Sequence, residues 1–455
     1  MTTLKDLQVT NRKTDYNDQL LRLFPKEFSH KMARTVTFQV TEQCNLRCTY
    51  CYQIDKHSNY MPIEVGKQAI DMLLASTPEN NDYINPEKAP AIIIDFIGGE
   101  PLLAIDVVTE LIEYFKQRTI ELQHPWANRH RFSICSNGLL YFDPKFQDLL
   151  TKYGNEISFS ISIDGIKELH DMCRIQPNGE GSYDIAIAGV KDYVERGFGK
   201  MGSKMTLAPE NIIWTSKAIK NLVELGYDDI NLNCVFEKGW TYEDATELYN
   251  QLKEAADYLI ENKKYFDTKV SIFDMNIGKP MDESNNNNWC GGTGAMLAID
   301  YKGNIYPCLR YTESSVGPDV PRLIIGNVWD GIGVKEEEQQ KINCLKCITR
   351  RSQSTDECFY CPIGQGCAWC SAYNYQEFGT ADHRATYICP MHKARVLANV
   401  YYWNSIFHKE GMSERFANNI PEEWALEIID KNEFDMLNEL AKPTIEESQV
   451  SLISE

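Results

Sequence analysis

Three cysteines, Cys44, Cys48 and Cys51, separated by three and then two residues, limit what this chain can build. They lie in Thr41-Glu42-Gln43-Cys44-Asn45-Leu46-Arg47-Cys48-Thr49-Tyr50-Cys51. The run before them, Thr35-Val36-Thr37-Phe38-Gln39-Val40, alternates polar and apolar residues as a half-buried strand does. A tight loop at a strand end can bring three thiolates to one iron–sulfur cube. Three ligands on four irons leave one iron open, so something other than protein must bind there. The alternative is a zinc knuckle or a set of buried cysteines; zinc wants a fourth Cys or His nearby, and His57 follows shortly.

The chain holds fifteen cysteines in 455 residues. Its opening stretch, Met1-Thr2-Thr3-Leu4-Lys5, has no apolar core of signal-peptide type. No run approaches the roughly 20 apolar residues that span a bilayer. A cytoplasmic chain with no membrane partner is expected, and its thiols would stay reduced. Metal or cluster ligation then accounts for the cysteines better than disulfides do. The formal net charge of −19 argues against nucleic acid as a partner, since neutralising a phosphate backbone needs a basic surface. It is compatible with a basic peptide segment as partner.

Residues 1–34 read as a polar helical segment, with Leu20, Leu21, Leu23 and Phe24 as a docking patch. It is too short to be a separate peptide-binding domain with its own core. From 35 to 240, strand-like runs (35–40, 91–96, 131–135, 157–163, 202–207, 230–236) alternate with helical patterns such as 63–76, 105–122, 183–196 and 214–225. That order implies parallel strands joined by right-handed crossovers. Six units predict an α/β fold, a partial (β/α)6 TIM-like barrel, with its chemistry at the C-terminal strand ends. Each distinctive motif follows a predicted strand. Gly98-Gly99-Glu100-Pro101 follows the second, Ser136-Asn137-Gly138 the third, and Ser162-Ile163-Asp164-Gly165 closes the fourth, with His170, Asp171 and Arg174 soon after. Two glycines let backbone approach a ligand closely, with an anionic side chain beside it. The plainer reading of Asn137-Gly138 and Asp164-Gly165 is that they are turns, and of Val235 that it is strand core.

Residues 241–285 read as a helical linker, with an amphipathic helix over 241–266. The polar run Asp282-Glu283-Ser284-Asn285-Asn286-Asn287-Asn288 marks a boundary. Beyond it, residues 286–400 hold nine cysteines: Cys290, Cys308, the pair Cys344 and Cys347, Cys358, Cys361, Cys367, Cys370 and Cys389. Nine ligands suffice for two more four-iron clusters with one to spare; pairs with two intervening residues also suit structural zinc. A helix over 391–408 follows, and 401–455 forms an acidic, helical tail. Cys135, Cys173 and Cys234 stand singly on or near strands and read as packing residues.

The cysteine loop, the Gly-Gly-Glu-Pro turn and the late array, in that order, resemble the radical S-adenosylmethionine (SAM) superfamily with its SPASM extension, over roughly residues 35–400. The resemblance implies a [4Fe-4S] cluster on Cys44, Cys48 and Cys51 whose open iron chelates the amino and carboxylate groups of SAM. Tyr50 matches the aromatic position of the family loop, and Gly98, Gly99, Glu100 and Pro101 would meet the methionyl amino group. Ser162 and Arg174 would bind the ribose and carboxylate. Ser136, Asn137 and Asp164 belong with them in the SAM site, and Val235 would flank adenine. The late array fits the SPASM pattern, including Gly303 before Cys308, except that two residues rather than three separate Cys367 from Cys370. It implies a small cysteine-rich domain with two auxiliary clusters. The outer one takes Cys358, Cys361, Cys367 and Cys389. The inner one takes Cys290, Cys308 and Cys370, with Cys344, Cys347 or an open position as its fourth.

Within that family the chain resembles maturases of ribosomally made, cysteine-rich peptides, including the type whose targets carry repeated Cys-x-x-x motifs. Sulfatase-maturing relatives carry an acidic base where Leu309 stands and an extra cysteine after the first; Gly291 to Asp300 contains none. The expected reaction is thioether crosslinking of a precursor peptide through a 5′-deoxyadenosyl radical, with a flavodoxin- or ferredoxin-type electron donor. Carbon–carbon crosslinking, epimerisation or side-chain oxidation could use the same machinery. An iron–sulfur electron carrier is the non-enzymatic alternative.

Overall fold

The computed structural model describes residues 33–75, 81–198, 201–288 and 290–442. The leucine patch before residue 33 and the end of the acidic tail lie outside them. Eleven strands are formed among the described residues. β1 (Arg34–Thr41) leads to the cysteine loop and α1 (Ile63–Leu74). Then come β2 (Ile92–Gly98), α2 (Ile105–Glu121), β3 (His130–Ser136), α3 (Pro144–Tyr153) and β4 (Ile157–Ile161). Next are α4 (Lys167–Cys173), α5 (Tyr183–Glu195), β5 (Gly202–Leu207), α6 (Thr215–Glu224), β6 (Asp229–Cys234), α7 (Tyr242–Glu261) and β7 (Lys269–Val270). Each predicted strand of the first half is present, most carrying the alternation of a sheet with one apolar face and β2 a β-branched isoleucine run.

The register shows what the alternation does. Phe38 pairs with Phe96, Phe96 with Ile134, and Ile134 with Phe159, a row of buried apolar side chains on one face. The neighbouring row, one residue back, runs Thr37, Asp95, Ser133, Ser158 on the other face. The apolar face joins the main core with the helices. The polar face is the inner one. A closed TIM barrel fills its interior with layers of branched apolar residues; this partial barrel has a polar lumen instead.

The strands do not form one six-stranded sheet. β5, β6 and β7 make a separate parallel sheet that lies beside β4 without a backbone ladder to it. On the opposite edge, β1 pairs in parallel with β8 (Met296–Ile299), from beyond the asparagine run. β8 continues through β9 (Asn304–Tyr306), β10 (Gly326–Asn327) and β11 (Gly331–Ile332), giving the order β11-β10-β9-β8-β1-β2-β3-β4. The hairpin that presents Cys308 is therefore part of the barrel sheet. Helices α8 (Glu336–Lys346), α9 (Ser371–Phe378), α10 (Cys389–Lys409) and α11 (Lys431–Leu440) complete the frame, α10 packed along α7 and α11 against α10. No helix among the described residues is long and apolar enough to cross a membrane.

Candidate active site

The cysteine loop is held by the end of β2. The Gly99 amide donates to the Thr41 carbonyl at 3.0 Å, and the Glu100 amide to that of Gln43 at 2.9 Å. A Cβ on Gly98 would stand 2.5 Å from the Thr41 oxygen, and one on Gly99 2.3 Å from the Gln43 oxygen. The close approach that needs these glycines is thus to the protein's own backbone, immediately before Cys44. Cys44 is buried and Cys48 and Cys51 are partly so. Burial pushes the thiol of Cys44 up, and that of Cys48 up to about 11. The Leu46 amide points at the Cys44 sulfur at 3.4 Å, and Asn137 Nδ2 lies 3.9 Å from it.

Glu100 is 1% exposed. Its carboxylate accepts from the Ser136 hydroxyl at 2.8 Å, the Asn137 amide at 2.8 Å and the Leu102 amide at 3.1 Å. Burial outweighs these donors and lifts its pKa to about 7. Pro101 opens the buried turn Pro101–Ala104 that follows. Asn137 Nδ2 also donates to Asn45 Oδ1 at 2.7 Å, tying the end of β3 to the loop.

A second knot ties the loop to the end of β4. Asp164 is fully buried and accepts from Arg174 Nε at 2.9 Å and Nη2 at 3.2 Å. The Tyr50 hydroxyl donates to the same carboxylate, and the Arg174 guanidinium stands 5.5 Å from the Tyr50 ring centre. Asp164 therefore faces Tyr50 and Arg174, and these two line the cavity. His170 caps the knot, its Nδ1 accepting from the Asp164 amide at 3.3 Å and its Nε2 meeting the Ser182 hydroxyl at 3.0 Å. Burial and Arg174 lower its pKa to about 4.

These elements enclose a cavity of about 460 Å³ beside the three cysteines, also lined by Gly98, Gly99, Glu100, Ser136, Asn137, Ser162, Arg174 and Val235. Tyr52, Lys204, Thr206, Asn233, Glu237 and Arg310 line it too and were not singled out in the sequence. Arg310 comes from the second array, two residues after Cys308. It lies 4.9 Å from the Tyr52 ring centre and bonds Glu237 at 3.0 Å.

The late cysteines fall into two groups. Burial raises the Cys308 thiol and the neighbouring Cys370 and Cys290 raise it further, and the Cys290 sulfur lies 3.0 Å from the Ser371 hydroxyl. Cys358, Cys361 and Cys367 all act on Cys389, which is pushed up to about 12, mainly by burial. Cys344 and Cys347 are exposed, at the end of α8. Among the described residues no three His, Cys, Asp or Glu side chains converge as a single metal ion requires. Thiolates on the corners of a cube stand farther apart than ligands of one zinc ion. Mostly half-buried cysteines, grouped by threes and fours, fit iron–sulfur clusters.

Residues 38–215 match the model of the radical SAM superfamily. The chain carries a radical SAM domain. The cofactors of that superfamily are a [4Fe-4S] cluster and SAM, and its SPASM-type members add auxiliary clusters. The chain is 26% identical over 273 residues to an uncharacterised protein of Methanocaldococcus jannaschii, covering 59% of this chain and 82% of that one. It is 21% identical over 417 residues to the serine-type anaerobic sulfatase-maturating enzyme of Bacteroides thetaiotaomicron, covering 83% and 91%. Among solved structures its fold is similar to that of anSMEcpe with bound AdoMet and a Cp18Cys peptide, at 18% identity and TM-score 0.59, over 83% of this chain and 98% of that one. It is also similar to SuiB of Streptococcus suis bound to the precursor peptide SuiA, at 14% identity and TM-score 0.52, over 82% and 79%.

Proposed function

We propose that this radical SAM protein modifies a ribosomally made, cysteine-rich precursor peptide, closing a thioether between a cysteine and a carbon of the same peptide. The observation that supports it is one cavity lined both by Cys44, Cys48 and Cys51 and by Arg310, which stands two residues from Cys308. An electron carrier needs no such cavity.

When bound, the cluster and SAM supply hydrogen-atom abstraction, and the auxiliary clusters a place for the electron left as the thioether closes. The chain's own residues do the rest. Cys44, Cys48 and Cys51 would hold the first cluster. Glu100 would face the amino group of SAM, its negative charge favoured once that ammonium is beside it. Arg174, fixed by Asp164 and Tyr50, would meet the carboxylate, with Ser136, Asn137, Ser162 and Val235 around the rest. Cys358, Cys361, Cys367 and Cys389 would hold the outer auxiliary cluster, and Cys290, Cys308 and Cys370 the inner one. Cys290 and Cys370 act on Cys308 whereas neither Cys344 nor Cys347 is among the groups that do, which favours a fourth inner position filled from outside the protein.

Both a sulfatase-maturating relative and a peptide-bound neighbour support a polypeptide substrate. Leu309, apolar and buried, stands where formylglycine formation would want an acid, which favours the thioether reading.

The test is anaerobic reconstitution with SAM, a flavodoxin or dithionite as donor, and the cysteine-rich peptide encoded beside the chain. Loss of two hydrogens per crosslink with loss of one alkylatable thiol is the expected result. Loss of two hydrogens with every thiol still alkylated would replace it with a carbon–carbon link or oxidation. Cys48→Ala should abolish 5′-deoxyadenosine formation while iron remains on the late array; persistent formation would overturn the cluster assignment.

A further inference from the structure

The two groups of late cysteines are met by differently committed cations. At the inner group Arg310, which acts on Cys370, is bonded to Glu237 at 3.0 Å, so its charge is offset by a carboxylate. At the outer group stand two half-buried arginines. Arg384, in the loop before α10, donates from Nη2 to the Cys367 carbonyl at 3.0 Å. Arg395, on α10, donates from Nη1 to the Gly366 carbonyl at 3.5 Å. Its Nε and Nη2 go to the carbonyls of Ile272 and Ser271, both at 2.9 Å. Two guanidiniums thus grip consecutive carbonyls at one outer cysteine.

All of these bonds end on neutral oxygens. Among the described residues neither Arg384 nor Arg395 forms an ion pair with a carboxylate. Asp274 is the acid that acts on Arg395, and its Oδ1 is taken by the Asn276 amide at 2.9 Å. Asp356 is bonded to Arg351 at 2.6 Å, and Glu357, beside Cys358 in sequence, is exposed to screening solvent. Lys393, the cation nearest Cys389 in its effect, is bonded to Glu427 at 2.7 Å. His392 is held neutral, burial lowering its pKa to about 4. Burial raises the Cys367 thiol, and Arg384 and Arg395 both work against it; Arg384 works against the rise at Cys361 too.

A half-buried guanidinium that bonds only carbonyls keeps its full charge and is best placed beside an anion. Four thiolates around a four-iron cluster provide one, and that anion grows when the cluster takes up an electron. A fixed positive charge therefore favours the reduced form over the oxidised one. We propose that Arg384 and Arg395 are positioning residues of the outer auxiliary cluster, fixing the Gly366-Cys367 backbone and raising the reduction potential by their uncompensated charge. The proposal rests on the assignment of Cys358, Cys361, Cys367 and Cys389 to that cluster and not on the thioether.

The experiment reads a potential, without peptide or turnover. The full chain is loaded with iron and sulfide in a Cys44→Ala, Cys48→Ala, Cys51→Ala background, which leaves the late array to give the signal. It is titrated anaerobically with a low-potential reductant while electron paramagnetic resonance is recorded. Cys358→Ala identifies the outer signal by altering it. Arg384→Met and Arg395→Met should each lower the midpoint of that signal, and the double variant should lower it further, with the inner signal unmoved. Arg384→Lys and Arg395→Lys keep the charge and should stay near the unsubstituted midpoint. Asp274→Asn leaves both arginines in place and should raise it, which decides the matter if a Met variant loses its iron. An outer midpoint unmoved in the Met variants, one that falls as far with Lys as with Met, or one that Asp274→Asn fails to raise overturns the proposal. Zinc in place of iron would overturn the cluster assignment as well. Failure to find a thioether would overturn the function proposed above and leave these shifts standing.

Discussion

Phe159 and Ser160 are neighbours on β4 and belong to different worlds. Phe159 is 3% exposed and packs against Phe146 at 4.8 Å, Tyr193 at 5.6 Å and Tyr141 at 6.0 Å between ring centres. Ser160, paired with Cys135, points to the opposite, polar face of the strand. The same contrast holds along β2, β3, β5 and β6, where one face is packed and the other more open, whereas β1 is buried on both faces. The outer face holds the fold together, so the inner one is free to stay polar and hollow. A period of two thereby separates stability from chemistry within single strands.

If that separation is real, substitutions one residue apart should differ most in stability. Phe159→Ala should cost about 3–5 kcal/mol, the usual penalty for emptying an aromatic site, read as a shift in the urea midpoint. A cost below about 1 kcal/mol would break the comparison. The turn at the end of β4 should show a pH signature of similar size. The His170 pKa, about 4 when folded, is depressed below the ordinary value of about 6.5. The folded chain then binds fewer protons than the unfolded one between these values. Stability from this group is present above about pH 6.5 and lost as pH falls to about 4, by about 3 kcal/mol. Unfolding from pH 7 to 4 should be less steeply pH-dependent in His170→Gln; equal slopes would remove His170 from the account. Smallest of all, Ser160→Ala should change stability by less than about 0.5 kcal/mol, since no hydrogen bond ties its hydroxyl among the described residues. A larger loss would mean that the lumen supports the fold after all.

Much of this was legible in the sequence because it is local. Alternation in 35–40 and the isoleucine run in 91–96 placed β1 and β2. What was not legible is pairing at a distance. Tyr50 and Arg174 meet through Asp164, each from a different strand-end loop, and nothing in their local sequence marks the partnership. Arg310 reads as an ordinary polar residue until the hairpin carries it to Tyr52. The Gly98-Gly99 pair signals close approach but not to what, and the approach is to Thr41 and Gln43. β8, Met296-Leu297-Ala298-Ile299, has no polar alternation to announce a strand, because it is covered on both faces beside β1.

That last strand bears on how such a protein could be recombined. The asparagine-rich run at 282–288 looks like a natural seam for exchanging one auxiliary module for another. A cut there would take β8 away with the module and strip β1 of four paired positions, Thr35 to Phe38. The strand that launches the cysteine loop would become an open edge, prone to wrong partners. A chimaera should therefore be joined beyond Tyr306, or its incoming strand should be matched to β1 in register. Lineages that diversify their auxiliary clusters would have to do so downstream of that hairpin, around a fixed first pair of strands.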